Sequence, residues 1–397
     1  MQFFDVGQGD GTFIVFPNRK TMLVDLGSTK NKDVVLPDIK KYFQTFTKFE
    51  KAGEKLDYLI LTHGDSDHYN LIKDVFEELN IGVRNLYCGG SGYESTRYTE
   101  LIAWLCLTNP NGAAKRYHPQ SDFPAQIKDD FGDGAEVWIL AWNTWHERSK
   151  QAKAQGKALK DEWSRNTDSI VLSIGYKNVR VLLTGDATVD TERAILADLG
   201  AKRAGDLIVS DVLKVAHHGS RRTSNHVPWI QAVNPEFVFI SADRHGTLDP
   251  DNDDVKKTGH RLPQRLTTDL IKKYARELYN GCDPHDYVTA YDLSDYTNYD
   301  ENPDNPPNEK LGKPQPGTIA GKTQVGNQEW IQETTTDAIF TTLTGLDTKS
   351  PDGDAAADQG AQYQLTIDGN GIRVDTTVGS GGTKAVVKKA SGRRKKQ

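Results

Sequence analysis

Leu59-Ile60-Leu61-Thr62-His63-Gly64-Asp65-Ser66-Asp67-His68 is the stretch that decides how this 397-residue chain is read. The apolar run led by Tyr58 is too short for a helix and is closed by a glycine, which predicts a buried strand. Four metal-competent side chains follow within six residues: His63, Asp65, Asp67 and His68. No regular helix gathers all four at one point, whereas a loop leaving a strand end can wrap them around a metal pair. Imidazoles mixed with carboxylates suit zinc, manganese or iron.

Outward from that loop, other predicted strands also end in functional side chains. Val181-Leu182-Leu183 leads into Gly185-Asp186, and Asp186 is a candidate bridging carboxylate between two metals. Leu213-Lys214-Val215-Ala216 leads into His217-His218-Gly219-Ser220, and paired histidines at a strand end seldom serve packing. Asp25 closes an earlier strand, either orienting a ligand imidazole or capping a helix. The order of elements is strands, helices and strands, which predicts a layered α/β architecture with sheets inside and helices outside. Strands at 2–6, 12–16 and 21–25 read as a meander, and helices are expected near 34–49, 70–79, 98–107, 191–199 and 266–279.

Asn298 to Gly326 is rich in Pro, Asn and Gly and reads as a linker or long loop, taken as 298–330. The segment 331–378 holds strand-like runs and a hairpin turning at Asp368-Gly369-Asn370-Gly371, expected to complete a sheet of the 1–297 body. From Gly379 to Gln397 the chain carries seven basic residues and no acid and is expected to be disordered. Formal charge is -6 overall, so setting those seven positives aside leaves -13 on the remainder. So acidic a body excludes general phosphate-backbone binding, and nucleic-acid contact would be local or come from the tail. The tail is equally readable as a passive solubility segment.

Three cysteines without CxxC spacing exclude a disulfide framework and a thiolate zinc site. No run approaches the roughly 20 apolar residues that cross a bilayer. With no leader-like N-terminus, the expected location is cytoplasmic, with no membrane partner.

Phe4-Asp5-Val6-Gly7-Gln8-Gly9-Asp10, Asp25-Leu26-Gly27, the His63–His68 loop, Leu183-Thr184-Gly185-Asp186-Ala187 and Lys214-Val215-Ala216-His217-His218-Gly219-Ser220 together resemble the metallo-β-lactamase superfamily. The likeness is to the branch typified by the hydrolase domain of the ComEC competence protein, and it spans about residues 2 to 241. It implies an αββα sandwich with a two-metal site at the sheet edges. On that likeness His63 and Asp65 serve one metal, Asp67 and His68 the other, Asp186 bridges and His217 completes the second. The cofactors implied are two divalent ions, Zn²⁺ or Mn²⁺; a carboxylate at Asp65, where the wider superfamily has His, moves the preference toward manganese.

The superfamily's usual third histidine for the first metal falls near Arg165-Asn166-Thr167-Asp168-Ser169, where there is none, so that metal is expected to be held more loosely. His118 and His146 lie in the interval without a strand end to place them. Asp67 and His218 are the expected catalytic residues, with His218 as proton donor or phosphate contact. Weaker candidates for orienting ligands or touching substrate are Asp10, Asn166, Ser220, Arg221 and Arg222, together with His260 or His245 as a displaced last-strand histidine. The expected activity is metal-dependent hydrolysis of a phosphodiester, which needs no serine nucleophile, and no GxSxG is present; the resemblance and the basic tail make nucleic acid the favoured partner. The alternatives are a small ester, lactone, thioester or nucleotide hydrolase on the same site, or a binding protein with a degenerate one.

Overall fold

A computed structural model describes residues 1–29, 32–45, 54–90, 96–109, 111–119, 122–155, 164–202, 205–221, 223–242, 262–276, 278–280, 287–291, 330–334, 337–341, 343–344, 359–368, 371–378 and 383–389. Six strands come first: β1 (Gln2–Phe3), β2 (Gly11–Val15), β3 (Thr21–Leu26), β4 (Lys55–Leu61), β5 (Gly82–Cys88) and β6 (Lys115–Tyr117). Next are β7 (Ala125–Gln126), β8 (Glu136–Ala141), β9 (Val171–Tyr176), β10 (Val179–Leu183), β11 (Val212–Lys214) and β12 (Phe237–Ile240). The later strands are β13 (Tyr287–Tyr291), β14 (Trp330–Thr334), β15 (Ile339–Thr341), β16 (Leu343–Thr344), β17 (Gln359–Asp368), β18 (Gly371–Val378) and β19 (Thr383–Lys389). The helices are α1 (Lys32–Thr45), α2 (Ile72–Glu78), α3 (Thr96–Ala103), α4 (Thr144–Ala154), α5 (Ser164–Thr167), α6 (Val189–Lys202), α7 (Val227–Val233) and α8 (Arg265–Tyr274).

Two sheets hold the molecule together. The first runs β19-β18-β17-β1-β2-β3-β4-β5-β6, and the second runs β15-β12-β11-β10-β9-β8-β7. β1, β2 and β3 form the antiparallel meander, after which β3 to β6 are parallel. The second sheet turns from antiparallel β8-β9-β10 to parallel β10-β11-β12-β15.

Strand alternation sorts the apolar side chains into three cores. In β4, Tyr58 and Ile60 pack between the sheets with Met22, Leu172, Val181 and Phe239. Leu59 and Leu61 point the other way, against Ile39, Phe43, Ile72 and Phe76 of α1 and α2. In β10 the same rule sends Leu183 inward and Leu182 outward, onto Ile195, Trp229, Ile230 and Ile271 of α6, α7 and α8. Central strands buried on both faces read as continuous apolar runs, as β4 and β10 do. A slip of one residue would exchange both faces, so burial fixes the register that carries the strand-end side chains. The result is an αββα sandwich.

The C-terminal strands differ in part from the sequence reading. β17 lies antiparallel to β1, and β15 joins the second sheet beside β12, so the segment feeds both sheets. The basic stretch from Gly379, read as disordered, contains β19, which pairs with β18. Composition misled there: Thr383, Val386 and Val387 are β-formers among the lysines, and a ready edge of β18 supplies the partner. The expected linker lies outside the described residues except for Trp330. Among the described residues no helix is long and apolar enough to cross a membrane.

Candidate metal centre

The strand ends of β3, β4, β10 and β11 meet at one point, and backbone packing sets the distances there. Asp10 donates its backbone N–H to the Asp67 carbonyl at 3.1 Å, and Gly27 donates to the Asp10 carbonyl at 2.9 Å. A side chain on Gly27 would place its Cβ 2.4 Å from the Asp67 carbonyl carbon, and one on Gly9 would come 2.8 Å from the Asp67 oxygen. Both glycines are therefore required so that the His63–His68 loop can lie directly on the two preceding turns. Ser66–His68 close as a single 3₁₀ turn, which throws Asp67 and His68 to the same centre.

Asp186 is the hub. Its Oδ1 lies 3.3 Å from His68 Nε2, and its Oδ2 lies 3.5 Å from His218 Nε2 and 3.8 Å from both His63 Nε2 and His217 Nε2. His218 Nε2 is also 3.3 Å from Asp67 Oδ2. The Nε2 atoms of His63, His68 and His218 and Oδ1 of Asp186 are buried without a hydrogen-bond partner. Four such atoms around one point leave a desolvation cost that a bound cation would remove. Among the described residues four three-donor sets lie within reach of one ion: His63, His68 and Asp186; Asp67, His68 and His218; Asp10, Asp25 and His68; and Asp10, Asp186 and His218.

The outer nitrogens of the imidazoles are fixed. His68 Nδ1–H donates to Asp25 Oδ2 at 2.8 Å, and His218 Nδ1–H donates to the Ser241 carbonyl at 2.9 Å. Each bond selects the tautomer whose Nε2 carries a lone pair toward the centre. Asp25 is held in turn by the Thr62 backbone N–H at 2.7 Å and the Thr62 hydroxyl at 2.6 Å. Of the two readings of Asp25, the hydrogen bond to His68 is the contact that orienting an imidazole requires.

The charges fit the same picture. Burial opposes ionisation of Asp186, yet His218, His68 and His217 hold its carboxyl well below the usual range. Burial also disfavours a charged His218, but Asp186 and Asp67 facing its Nε2 raise it to about 10. His217 goes the other way, to about 4, because burial, with His218 and His63 beside it, outweighs the pull of Asp186 and Asp67. A pocket that draws protons onto His218 and His68 is one in which a divalent cation would take their place.

The geometry departs from the sequence reading at the paired histidines. His218, expected to donate a proton, lies in donor sets with Asp67 and His68 and with Asp10 and Asp186, whereas His217, expected as the ligand, enters none of the four and has its Nε2 3.8 Å from Asp186. Both residues have left-handed backbone, with φ of 52° and 53°, so the strand alternation that would separate their side chains no longer applies. Asp65 belongs to none of the four sets: its Oδ2 is 3.6 Å from His63 Nε2, and its Oδ1 pairs with Arg165 at 3.0 Å. Asn166 fills the slot of the missing histidine and donates to Asp186 Oδ2 at 3.3 Å.

Asp10 lies 3.7 Å from His68 Nδ1 and accepts a hydrogen bond from Lys214 Nζ. Ser220 accepts from the Thr223 hydroxyl, which also touches His217 Nδ1, and Arg221 is buried on the same turn. Arg222, His245 and His260 lie outside the described residues. His118 and His146 belong to none of these donor sets. His226, read as a surface or capping residue, is buried and paired with Glu192. Thr62, Arg165, Lys214 and Thr223 were passed over as site residues, because Thr and single cations carry no metal-ligand signature. Only their place beside the strand ends could have singled them out.

Residues 4–226 match the family described as the metallo-beta-lactamase superfamily. ComE operon protein 3 of Bacillus subtilis (strain 168) is 26% identical over 307 residues, covering 75% of this chain and 35% of that protein. The chain thus spans about a third of that relative's length. Among solved structures, CmlA, a diiron beta-hydroxylase from Streptomyces venezuelae, aligns over 69% of this chain and 51% of its own at 15% identity and a TM-score of 0.37. Igni18, a metallo hydrolase from Ignicoccus hospitalis KIN4/I, aligns over 60% of this chain and 81% of its own at 12% identity and a TM-score of 0.33. The matched span contains every donor of the first loop, Asp186 and the paired histidines, and this chain belongs to the metallo-β-lactamase superfamily of metal-dependent hydrolases.

Proposed function

We propose that this chain is a phosphodiesterase acting on nucleic acid, with a pair of divalent cations, Zn²⁺ or Mn²⁺, held at the sheet ends. The observation that carries the reading is the convergence of three buried imidazole Nε2 atoms on Asp186, none with a hydrogen-bond partner. Asp67, His68, His218 and Asp186 would hold one ion, and His63, Asp65 and Asp186 the other. Bound there, the ions supply Lewis acidity toward phosphoryl oxygens and toward water. Asp25 and the Ser241 carbonyl keep His68 and His218 oriented, and Asn166 and the Ser169 hydroxyl hold Asp186 from the opposite side. His217 and Ser220, on one turn, are the candidate contacts for the leaving oxygen, and the neutral His217 imidazole adds no repulsion toward the ions.

Likeness to the ComEC-type branch and the basic C-terminal stretch support nucleic acid as the substrate class. A small phosphodiester or ester on the same site is the second reading, favoured by the acidic balance of the chain, -6 over its whole length.

The test is hydrolysis of single- and double-stranded DNA, RNA and bis(p-nitrophenyl) phosphate with Mn²⁺, Zn²⁺ or EDTA, against an Asp186→Ala control. Metal-dependent polymer cleavage that disappears in the control supports the nuclease reading. Cleavage of the small diester alone would transfer the assignment to small substrates. Absence of cleavage from every diester, with metal bound, would overturn phosphodiester chemistry.

A further inference from the structure

Asp65 is set apart from its neighbours. His63, His68, Asp67, Asp186 and His218 all enter a three-donor set, and Asp65 enters none. One of its oxygens is already engaged by Arg165, whose Nη1 lies 3.0 Å from Oδ1. The guanidinium is 46% exposed and the carboxylate 25%, so the pair sits at the mouth of the centre and not in its floor.

The arginine is not loosely placed. It stands on α5, a single turn whose Thr167 hydroxyl bonds Thr188 at 2.8 Å and whose Thr167 carbonyl accepts from the Thr191 hydroxyl at 2.8 Å. The next residue, Asn166, reaches inward to Asp186. One turn of helix therefore presents two nitrogen donors to the two carboxylates that flank His63. Neither of those donors can ligate a metal through the atoms that face the centre. On the other side, no arginine or lysine among the described residues is paired with Asp67.

We propose that Arg165 is a positioning residue that makes the two metal positions unequal: by pairing with Asp65 it weakens the His63–Asp65 position, so that one ion binds tightly at Asp67, His68, His218 and Asp186 and a second binds more weakly. The proposal rests on the two-metal reading above. An ion arriving at His63 must share Asp65, through its Oδ2, with a full positive charge on Oδ1, and it meets that charge's repulsion as well. Substituting the arginine removes both costs. The exposed position means that the substitution spares the core, and Lys in its place restores a cation without the planar fork.

The experiment is a calorimetric titration of the full chain, stripped with EDTA and dialysed, with Mn²⁺ alone and with Zn²⁺ alone. Wild type, Arg165→Met and Arg165→Lys are compared, and bound metal is counted after gel filtration. Two classes of site are expected in wild type. Arg165→Met should tighten the weaker class by about five-fold, the scale of a partly exposed ion pair, and leave the tighter class within two-fold. Arg165→Lys should fall between the two. A weaker class unmoved by Arg165→Met, or two equal sites in wild type, would overturn the proposal while leaving the metal centre standing. Absence of any bound ion would overturn the two-metal reading itself, and the proposal with it.

Discussion

Replacing Lys214 with Met should destabilise the protein far more than a surface charge change. Lys214 and Asp10 are 4% and 8% exposed, and they join the end of β11 in one sheet to the turn before β2 in the other. Met keeps most of the aliphatic stem, so packing changes little, but it leaves the Asp10 carboxylate buried without its cation. Removing one member of a buried pair costs about 3–5 kcal/mol. At roughly 2 °C per kcal/mol for a chain of this size, melting should fall by about 6–10 °C. Asp10→Asn combined with Lys214→Met removes both charges and should recover most of that loss.

The pH dependence has a definite sign. Burial raises the Asp10 carboxyl above its usual range even with Lys214 opposing, so its folded form holds a proton more tightly than the unfolded chain. Such a group costs stability as pH rises through its folded value and costs nothing below the ordinary carboxylate range. Lys214→Met raises it further, so the deficit should be largest near neutral pH and shrink as pH falls. Thermal melting of both variants in EDTA between pH 5 and 8 measures this. A single variant that melts within about 1 °C of wild type, or one no less stable than the double variant, would show that the pair is not coupled and refute the reasoning.

The remaining predictions concern the centre and the C-terminal stretch. Gly27→Ala brings a methyl onto the Asp67 carbonyl and should lower Mn²⁺ affinity by about ten-fold or more in calorimetry while the circular dichroism spectrum keeps its shape. His218→Ala should abolish tight metal binding, whereas His217→Ala should keep at least one ion and lose turnover; the reverse pattern would return the ligand role to His217. Deleting 390–397, which spares β19, should weaken DNA binding and flatten its dependence on salt by up to about 0.9 logarithmic units per lost phosphate contact. An unchanged slope would make the stretch passive.

Which parts of this architecture were legible in the sequence follows from what each residue must satisfy. The apolar runs of β4 and β10 admit few alternatives, because strands buried on both faces need unbroken hydrophobic side chains, and strand ends in such a sheet gather on one edge. The convergence of His63, Asp67, His68 and Asp186 could be anticipated for the same reason: their chemistry is conspicuous and their strands are unmistakable. Asp25 is open between two roles in sequence, and the 2.8 Å contact to His68 is visible only in space. What stayed hidden depends on backbone turns and on distant charges. The consecutive left-handed residues at His217 and His218, in the turn after β11, break the alternation of that strand, and no side-chain pattern announces them.

Lys214 and Asp10 are 204 residues apart, and nothing local marks either as half of a pair. Arg165 is the sharper instance. In sequence it reads as one more surface cation beside a missing histidine, and the loss of that histidine alone suggests a looser first metal. In space it supplies a second cause of that looseness, acting on Asp65 from the other side. The two causes make different demands: a missing ligand weakens every ion at His63 in every variant, whereas a competing cation can be removed by one substitution. The metal titration of Arg165→Met therefore separates an inherited deficiency of the site from a property that its neighbouring helix turn imposes.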